Sequence, residues 1–100
     1  MILYNVTIAV DPNIEDEWLT WMRNEHIPRV LATEMFYDSK MFRVLLEKEE
    51  AVTYAIQYYA NSISDLQKYL AQFAPQLQQE TINRYGKQAL AFRTVLEELV

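Results

Sequence analysis

Hydrophobic residues repeat along this chain with two alternating periods, and the order of those periods limits the folds that the chain can adopt. Segments with a period of two, typical of half-buried β-strands, cover Ile2–Val10, 36–47, Val52–Ala60 and about 89–99. The polar run 48–50 separates the two middle segments. These two segments therefore predict a β-hairpin.

A first helix is predicted between the first two strands. Asp11 or Asn13 can cap its start, and the proline between them suits a first helical position. Pro28 disfavours helical geometry in the residue before it, so the helix is expected to end or kink beside His26. One further turn is expected over 29–33.

A second helix is predicted after the hairpin. Ser62, with Asp65 three residues later, resembles a capping box that starts the helix. Pro75 predicts a kink or short break within it, and Gly86 predicts a left-handed stop. The predicted buried stripe consists of Ile63, Leu66, Leu70, Phe73 and Leu77.

The resulting order is strand, helix, strand, strand, helix, strand. Two right-handed crossovers around an antiparallel hairpin predict a ferredoxin-like α+β sandwich with strand order 4-1-3-2 and both helices on one face of the sheet. The chain of 100 residues is long enough for one core of this kind, so we expect a single domain over 1–100.

The face of the sheet without helices is predicted to be apolar and to bind a second copy of the chain. Exposed apolar patches of several hundred Å² are rare on monomers, and two-fold pairing of identical faces is the simplest cover. We therefore expect a homodimer joined through the open faces of the two sheets. That face is predicted to carry Tyr37, Met41, Leu45 and Tyr59, or their alternates Phe42, Val44, Ile56 and Tyr58.

Charge and cysteine content exclude several classes of protein. The net charge of −5 and the scattered basic residues argue against a nucleic-acid surface. The chain has no cysteine and one histidine, so no disulfide, thiolate nucleophile, metal site or cofactor is expected. No basic leader opens the chain, and no apolar run approaches the roughly 20 residues of a membrane span. A cytoplasmic protein is the expectation.

Both tryptophans and the only histidine lie close together in the first helix. Trp18 and Trp21 share a helix face, so they form either one wall of a cavity for a flat apolar ligand or part of the core. His26, whose ordinary pKa is about 6.5, suits a general acid or base or a hydrogen-bond donor to a ligand. The alternative is that His26 caps the carbonyls at the end of the helix.

Strand residues supply the other candidates for a site. Four strand tyrosines could offer hydroxyl contacts to a ligand, or belong to the core and the interface: Tyr4, Tyr54, Tyr58 and Tyr59. Arg43 and Arg93 fall on opposite edges of the predicted sheet, too far apart for one anion clamp within a monomer. Ion pairs with Glu47 or Glu97 across a dimer seam are the favoured interpretation of these arginines.

Four stretches together resemble a known family. They are Ile-Leu-Tyr-Asn-Val-Thr-Ile-Ala-Val at the start, Glu-Trp-Leu-Thr-Trp-Met-Arg-Asn-Glu-His-Ile-Pro in the first helix, Phe-Arg-Val-Leu from Phe42 and Ala-Phe-Arg-Thr-Val-Leu from Ala91. The chain resembles domain of unknown function 4286 over nearly its whole length. The resemblance implies the dimeric α+β barrel superfamily, which also holds antibiotic-biosynthesis-type monooxygenases.

The resemblance also implies a place for a pocket. Many members of that superfamily carry a histidine near the end of the first helix, beside a pocket between helices and sheet. His26, flanked by Trp18 and Trp21, matches that arrangement. The family has no assigned activity, so the resemblance implies none.

Three functions remain open from the sequence. The first is binding of a small, partly aromatic molecule between helices and sheet, at Trp18, Trp21, Tyr54 and Tyr58. The second is a cofactor-independent oxygenase or isomerase in which His26 is catalytic. The third is a structural or interaction dimer whose pocket is filled by its own side chains.

Overall fold

A four-stranded antiparallel sheet forms one layer of the protein. The structure is a computed structural model and describes residues 1–45 and 51–100. Its strands are β1 (Ile2–Val10), β2 (Asp38–Arg43), β3 (Val52–Ala60) and β4 (Ala89–Glu97). They lie in the order β2-β3-β1-β4, which confirms the predicted ferredoxin-like topology.

The helices that follow β1 and β3 form the second layer. A 3₁₀ turn (Pro12–Ile14) leads into α1 (Glu15–Trp21), a π-helical segment (Met22–His26) and α2 (Ile27–Leu31) without interruption. After β3 come α3 (Ile63–Gln72) and α4 (Ala74–Tyr85), and the 3₁₀ turn Gly86–Gln88 leads into β4. No helix in the described part of the chain is long and apolar enough to cross a lipid bilayer.

The predicted starts of both helical runs are confirmed. The carboxylate of Asp11 accepts a hydrogen bond from the backbone N–H of Asn13 at 2.9 Å. The hydroxyl of Ser62 accepts one from the N–H of Asp65 at 3.2 Å, as in a capping box. The short break predicted at Pro75 occurs two residues earlier, at Phe73 between α3 and α4, and Pro75 lies in the first turn of α4.

The first helical run does not end beside His26, and the irregularity there takes the form of a wide turn. The N–H of Ile27 donates to the carbonyl of Met22, five residues earlier, which is the pattern of a π-helix. Pro28 then falls in the first turn of α2, where its missing N–H costs nothing. The chain can therefore pass a proline and continue to Leu31.

Gly86 ends α4 with a positive φ, as predicted, but not in the left-handed helical conformation. Its φ is +55° and its ψ is −126°, a combination open mainly to glycine. Its N–H donates to the carbonyl of Ile82, so the helix still closes its last turn.

The core lies between the helices and one face of the sheet. Every second residue of β1, from Ile2 to Val10, is buried, as the period of two predicts. Two residues of the predicted helical stripe, Ile63 and Leu70, are exposed instead, and Tyr69 is buried between them in sequence. The inward-facing residues of β3 are Tyr54, Ile56, Tyr58 and Ala60.

The open face of the sheet combines residues from both predicted sets, so neither set is right as a whole. Ile56 and Tyr58 are buried under the helices, and Met41 lies opposite Ile56 on the same face. Strand β2 starts at Asp38, and Phe36 rather than Tyr37 turns into the core. The large apolar side chains exposed on or beside the open face are Tyr37, Phe42, Leu90, Phe92 and Leu96.

One predicted element cannot be compared with the structure. The turn over 48–50, and the end of the predicted second strand at Leu46 and Glu47, lie outside the described residues.

Candidate functional site

A small pocket lies between the helix-covered face of the sheet and the helices, with a cavity volume of about 40 Å³. Inward-facing residues of β1 and β3 form its floor, and the π-helical segment, α3 and α4 form its roof. Because β4 is an edge strand whose side chains Ala91 and Arg93 are exposed and line the pocket, the mouth lies along β4.

Most of the pocket wall is apolar. Its polar side chains are Tyr4, His26, Tyr58, Tyr69, Gln78, Thr81 and Arg93. No Asp or Glu among the described residues belongs to this wall. A mainly apolar cleft with a few convergent polar groups is the usual form of a small-molecule site.

His26 is held by the wide turn between α1 and α2, with its ring against the ring of Trp21. Its Nδ1 is buried and has no hydrogen-bond partner. Burial, with a smaller contribution from the guanidinium groups of Arg29 and Arg93, lowers the pKa of His26 to about 4 against the opposing effect of the Glu80 carboxylate. The imidazole is therefore neutral at pH 7.

The capping role for His26 is wrong. The helical run continues through His26 to Leu31, so His26 does not lie at the end of a helix with free carbonyls to cap. A neutral imidazole has one N–H donor and one acceptor nitrogen, so it can both give and take a hydrogen bond in the pocket.

Three tyrosines meet on the floor and roof of the pocket. The ring of Tyr4 lies 6.2 Å from that of Tyr58 and 5.9 Å from that of Tyr69, measured between centroids. Burial raises the pKa of all three, so each carries a neutral hydroxyl. These hydroxyls can donate hydrogen bonds to a ligand.

The hydroxyl of Tyr4 is buried and has no hydrogen-bond partner. The Arg93 guanidinium and the Gln78 amide lower the pKa of the Tyr4 hydroxyl against the effect of burial, so both groups lie near that hydroxyl. Neither group has the distance and angle of a hydrogen bond to it. Buried polar groups in folded proteins nearly always have a partner. An occupant of the pocket would supply one here.

Arg93 lies on the helix-facing side of β4, opposite Val6 of β1. It makes no ion pair with any acid in the described part of the chain. Arg43, at the far edge of the sheet, pairs instead with Glu15 at 3.3 Å. The two arginines are thus on opposite edges, as predicted, but within the chain neither pairs with Glu97, and Glu47 is outside the described residues.

The structure separates the residues that the sequence grouped into one site. His26 and Tyr58 line the pocket, while Trp21 packs behind the imidazole. Trp18 packs against Tyr54 with the two rings tilted by 40° and their centroids 5.1 Å apart, in a cluster away from the pocket.

That second cluster is held by a carboxylate. The hydroxyl of Tyr54 donates to Glu15, and Arg43 pairs with the same carboxylate from the other side. Burial and the hydrogen bond to Glu15 together raise the pKa of Tyr54 to about 12. Tyr54 is therefore engaged within the chain.

Three residues of the pocket, Arg93, Tyr69 and Gln78, were not predicted from the sequence to line it. Tyr4 was predicted, as one of the strand tyrosines whose hydroxyls could contact a ligand, and it does line the pocket. The signal that pointed to Arg93 was a charged residue within an alternating strand.

Comparison with known proteins decides the family. The family model described as "Domain of unknown function (DUF4286)" matches residues 1–99. The chain belongs to the DUF4286 family. No curated protein matches this DUF4286 chain significantly.

Solved structures share the fold of the DUF4286 chain at low sequence identity. An ethyl tert-butyl ether D (EthD) family protein from Bacillus halodurans C-125 matches with a TM-score of 0.69 at 17% identity, over 99% of this chain and 100% of that one. A dimeric ferredoxin-like protein from an uncultured marine organism matches with a TM-score of 0.67 at 12% identity, over 95% and 92%. A de novo designed ferredoxin fold matches with a TM-score of 0.52 at 20% identity, over 99% and 87%.

No group of three metal-ligating side chains comes together in residues 1–45 and 51–100.

Proposed function

We propose that this DUF4286 protein binds a small, partly aromatic molecule in the pocket that opens along β4. The observation that carries the proposal is the pair of unpartnered polar atoms in one pocket, the Tyr4 hydroxyl and His26 Nδ1. Leaving a buried polar group without a partner costs about 1 to 3 kcal/mol. A ligand that bonds to both would recover that cost.

The aromatic character of the ligand follows from the wall. The rings of Tyr4, Tyr58 and Tyr69 surround the inner end of the pocket, and the imidazole of His26 lies in the roof. Rings of this kind pack against a flat molecule in offset or edge-to-face arrangements.

A homodimer is the proposed assembly. The open face of the sheet carries exposed Leu90, Phe92 and Leu96 on β4 and Phe42 on β2. Two copies that pack these faces together would cover them with one two-fold interface. One structural neighbour is itself described as dimeric. The protein is proposed to act in the cytoplasm.

An enzymatic role for His26 is the second candidate. Its unpartnered nitrogen in the pocket favours a hydrogen bond to a substrate, and the shared fold of the EthD family protein allows it. A general base works best when its pKa lies near the operating pH, and the pKa of His26 is about 4. His26 is therefore better suited to hold or polarise a ligand than to remove its proton.

A thermal-shift panel of small aromatic compounds tests the binding function. Indole, catechol, 4-hydroxybenzoate and salicylate are measured on the wild type, on Ala91→Leu, which fills the pocket wall, and on Ala71→Leu. Ala71 is exposed on α3 and outside the pocket, so this variant matches the chemical change. A ligand at ten times its Kd stabilises the fold by about 1.4 kcal/mol, which raises the Tm by several degrees.

The expected result is a saturable rise in Tm for at least one compound with wild type and Ala71→Leu, and a loss of that rise with Ala91→Leu and His26→Ala. If every compound leaves the wild-type Tm unchanged, or if Ala91→Leu responds like wild type, the proposed function is wrong.

A further inference from the structure

We infer that the ligand is a monoanion, an aromatic or apolar acid whose negatively charged oxygen lies between the guanidinium of Arg93 and the hydroxyl of Tyr4. This inference rests on the proposed function and names the chemical class of its ligand. It is supported by the hydrogen-bond donors that converge at the mouth of the pocket and by the lack of acidic side chains among the described residues of its wall.

Arg93 is a cation without a counter-charge. It lines a pocket that contains no acidic side chain among the described residues, and no ion pair engages it there. The nearest acid acting on the neighbouring His26 is Glu80, which is already paired with Arg29. The whole chain carries a net charge of −5, so acidic side chains outnumber basic ones. Even so, no described acidic side chain pairs with Arg93.

The register of the sheet brings Arg93 towards Tyr4. Arg93 lies opposite Val6, and Tyr4 is two residues from Val6 on the same face of β1. Such diagonal neighbours are about 7 to 8 Å apart between their Cα atoms, within reach of a long side chain. Tyr4 as a residue is 3% exposed, and its hydroxyl, which has no partner, thus faces the same space as the guanidinium.

The converging groups are mainly hydrogen-bond donors. A guanidinium has five N–H donors and no acceptor, a tyrosine hydroxyl donates one proton, and the amide of Gln78 adds two donors from α4. A carboxylate or another oxyanion accepts from all three, whereas an ammonium group would be repelled. Bonds to a charged acceptor are also the stronger kind.

A single charge with an apolar body fits the rest of the wall. Val6, Ile8, Met22, Ile56 and Leu77 line the pocket away from Arg93, so they would surround the uncharged part of the ligand. One arginine matches one anionic group, and among the described residues no second cation lines this pocket to hold a dicarboxylate or a nucleotide.

Charge-matched probes test the inference. Benzoate, benzamide and benzylamine share one ring and differ in charge, and 4-nitrophenolate carries its charge on a ring oxygen instead of a carboxylate. Their Kd values are measured by NMR titration of the ¹⁵N-labelled full chain at low and high salt. The variants are Arg93→Gln, Arg93→Lys and Arg23→Gln; Arg23 is exposed and outside the pocket, so the last variant removes the same charge elsewhere.

The wild type and Arg23→Gln are expected to bind an anion at least about tenfold more tightly than benzamide, as a charge-assisted hydrogen bond predicts. That preference should shrink with salt, disappear in Arg93→Gln and return in part in Arg93→Lys. Whichever of benzoate and 4-nitrophenolate has the lower Kd then indicates whether the natural ligand carries its charge on a carboxylate or on a phenolate-like oxygen.

Tyr4→Phe separates a ligand contact from a structural role. Because the hydroxyl has no partner in the free protein, its removal should leave the Tm unchanged or higher while weakening benzoate several-fold. A fall in Tm with unchanged benzoate affinity would show that the hydroxyl supports the fold and not the ligand.

The failures can be told apart. If benzamide binds as tightly as benzoate, or if Arg93→Gln keeps the preference for the anion, the anionic class is wrong while the binding function stands. If the wild type binds none of the four probes and no compound of the thermal-shift panel, the binding function and this inference are both wrong.

Discussion

The imidazole of His26 lies against the indole of Trp21, with ring centroids 5.0 Å apart and planes inclined by 27°. Trp21 is itself fixed on its other sides, by the ring of Tyr85 at 5.5 Å and the guanidinium of Arg84 at 5.4 Å. The imidazole therefore rests on a rigid support and projects into the pocket from it. This contact also removes water from the imidazole, which is the main cause of its low pKa.

The protonation of His26 gives the first prediction. The imidazole resonances should titrate with a midpoint near pH 4, well below the ordinary value of about 6.5, because burial disfavours the charged ring. A pH titration followed by NMR measures this directly, and there is no second histidine to confuse the assignment. A midpoint near 6.5 would show that the ring is solvated and that the pocket is built differently.

Folding stability should follow the same titration. Between pH 6.5 and 4 the unfolded chain binds a proton at His26 and the folded chain does not, so the free energy of unfolding falls as the pH falls. The loss is on the order of 2 to 3 kcal/mol across this window. Urea unfolding of the wild type and of His26→Gln gives the free energy of unfolding of each protein at each pH. The difference between the two should change between pH 6.5 and 4 and stay constant outside this window; a difference that is constant at every pH would contradict the linkage.

Tyr54→Phe should destabilise the fold without affecting the pocket. The substitution removes the hydrogen bond to the Glu15 carboxylate, at a cost of about 1 to 2 kcal/mol in the free energy of unfolding. Tyr37→Phe is the matched control, because the side chain of Tyr37 is exposed. The affinity for benzoate should be the same in both variants and the wild type. A weaker affinity in Tyr54→Phe alone would show that Tyr54 belongs to the binding site.

Phe92→Asp should separate the proposed dimer. Phe92 lies on the open face and is 63% exposed, so in a face-to-face dimer it would be buried, and a carboxylate there would raise the dimer Kd by roughly a hundredfold or more. Ile82→Asp is the control, because Ile82 is 59% exposed but lies on α4. Sedimentation equilibrium distinguishes the variants; a wild type that is monomeric at micromolar concentration would refute the dimer.

Gly86→Ala should lower stability through the backbone alone. An added Cβ would meet no atom within 4 Å, so no clash contributes. The positive φ would still be strained in alanine, at a cost of about 1 to 3 kcal/mol. Urea unfolding measures the loss, and Lys87→Ala in the same turn is expected to change little. An unchanged midpoint for Gly86→Ala would mean that the turn adopts a different conformation.

The layout of the fold was predictable because its signals are local. The period of two in β1 and the caps at Asp11 and Ser62 each depend on a few neighbouring residues. The face of β2 was less predictable, because Phe36 and Tyr37 are adjacent aromatics and a shift of one residue exchanges the two faces of a strand. Only the packed structure shows that Phe36 is the one that enters the core.

The pocket was predictable only in part. His26 and Tyr58 were named from their residue types and positions, and both line it. Trp18 was grouped with His26 although eight residues of helix, about 12 Å, separate them. Arg93 was predicted to form an ion pair instead. Its place in the pocket was not predictable, because it depends on how far the helices extend over β4, which is a property of the tertiary structure.

The wide turn at 22–26 holds one residue more than an α-helical turn that covers the same rotation. The residues on either side of it, such as Trp18 and Val30, can therefore both face the core. Deleting one residue there, such as the exposed Asn24, would return the run to ordinary α-helix and leave Val30 on its face, whereas His26 would lose the backbone position from which its ring reaches the pocket wall. One extra residue at this point of a helix thus adds a side chain to the pocket without rotating the helix that follows.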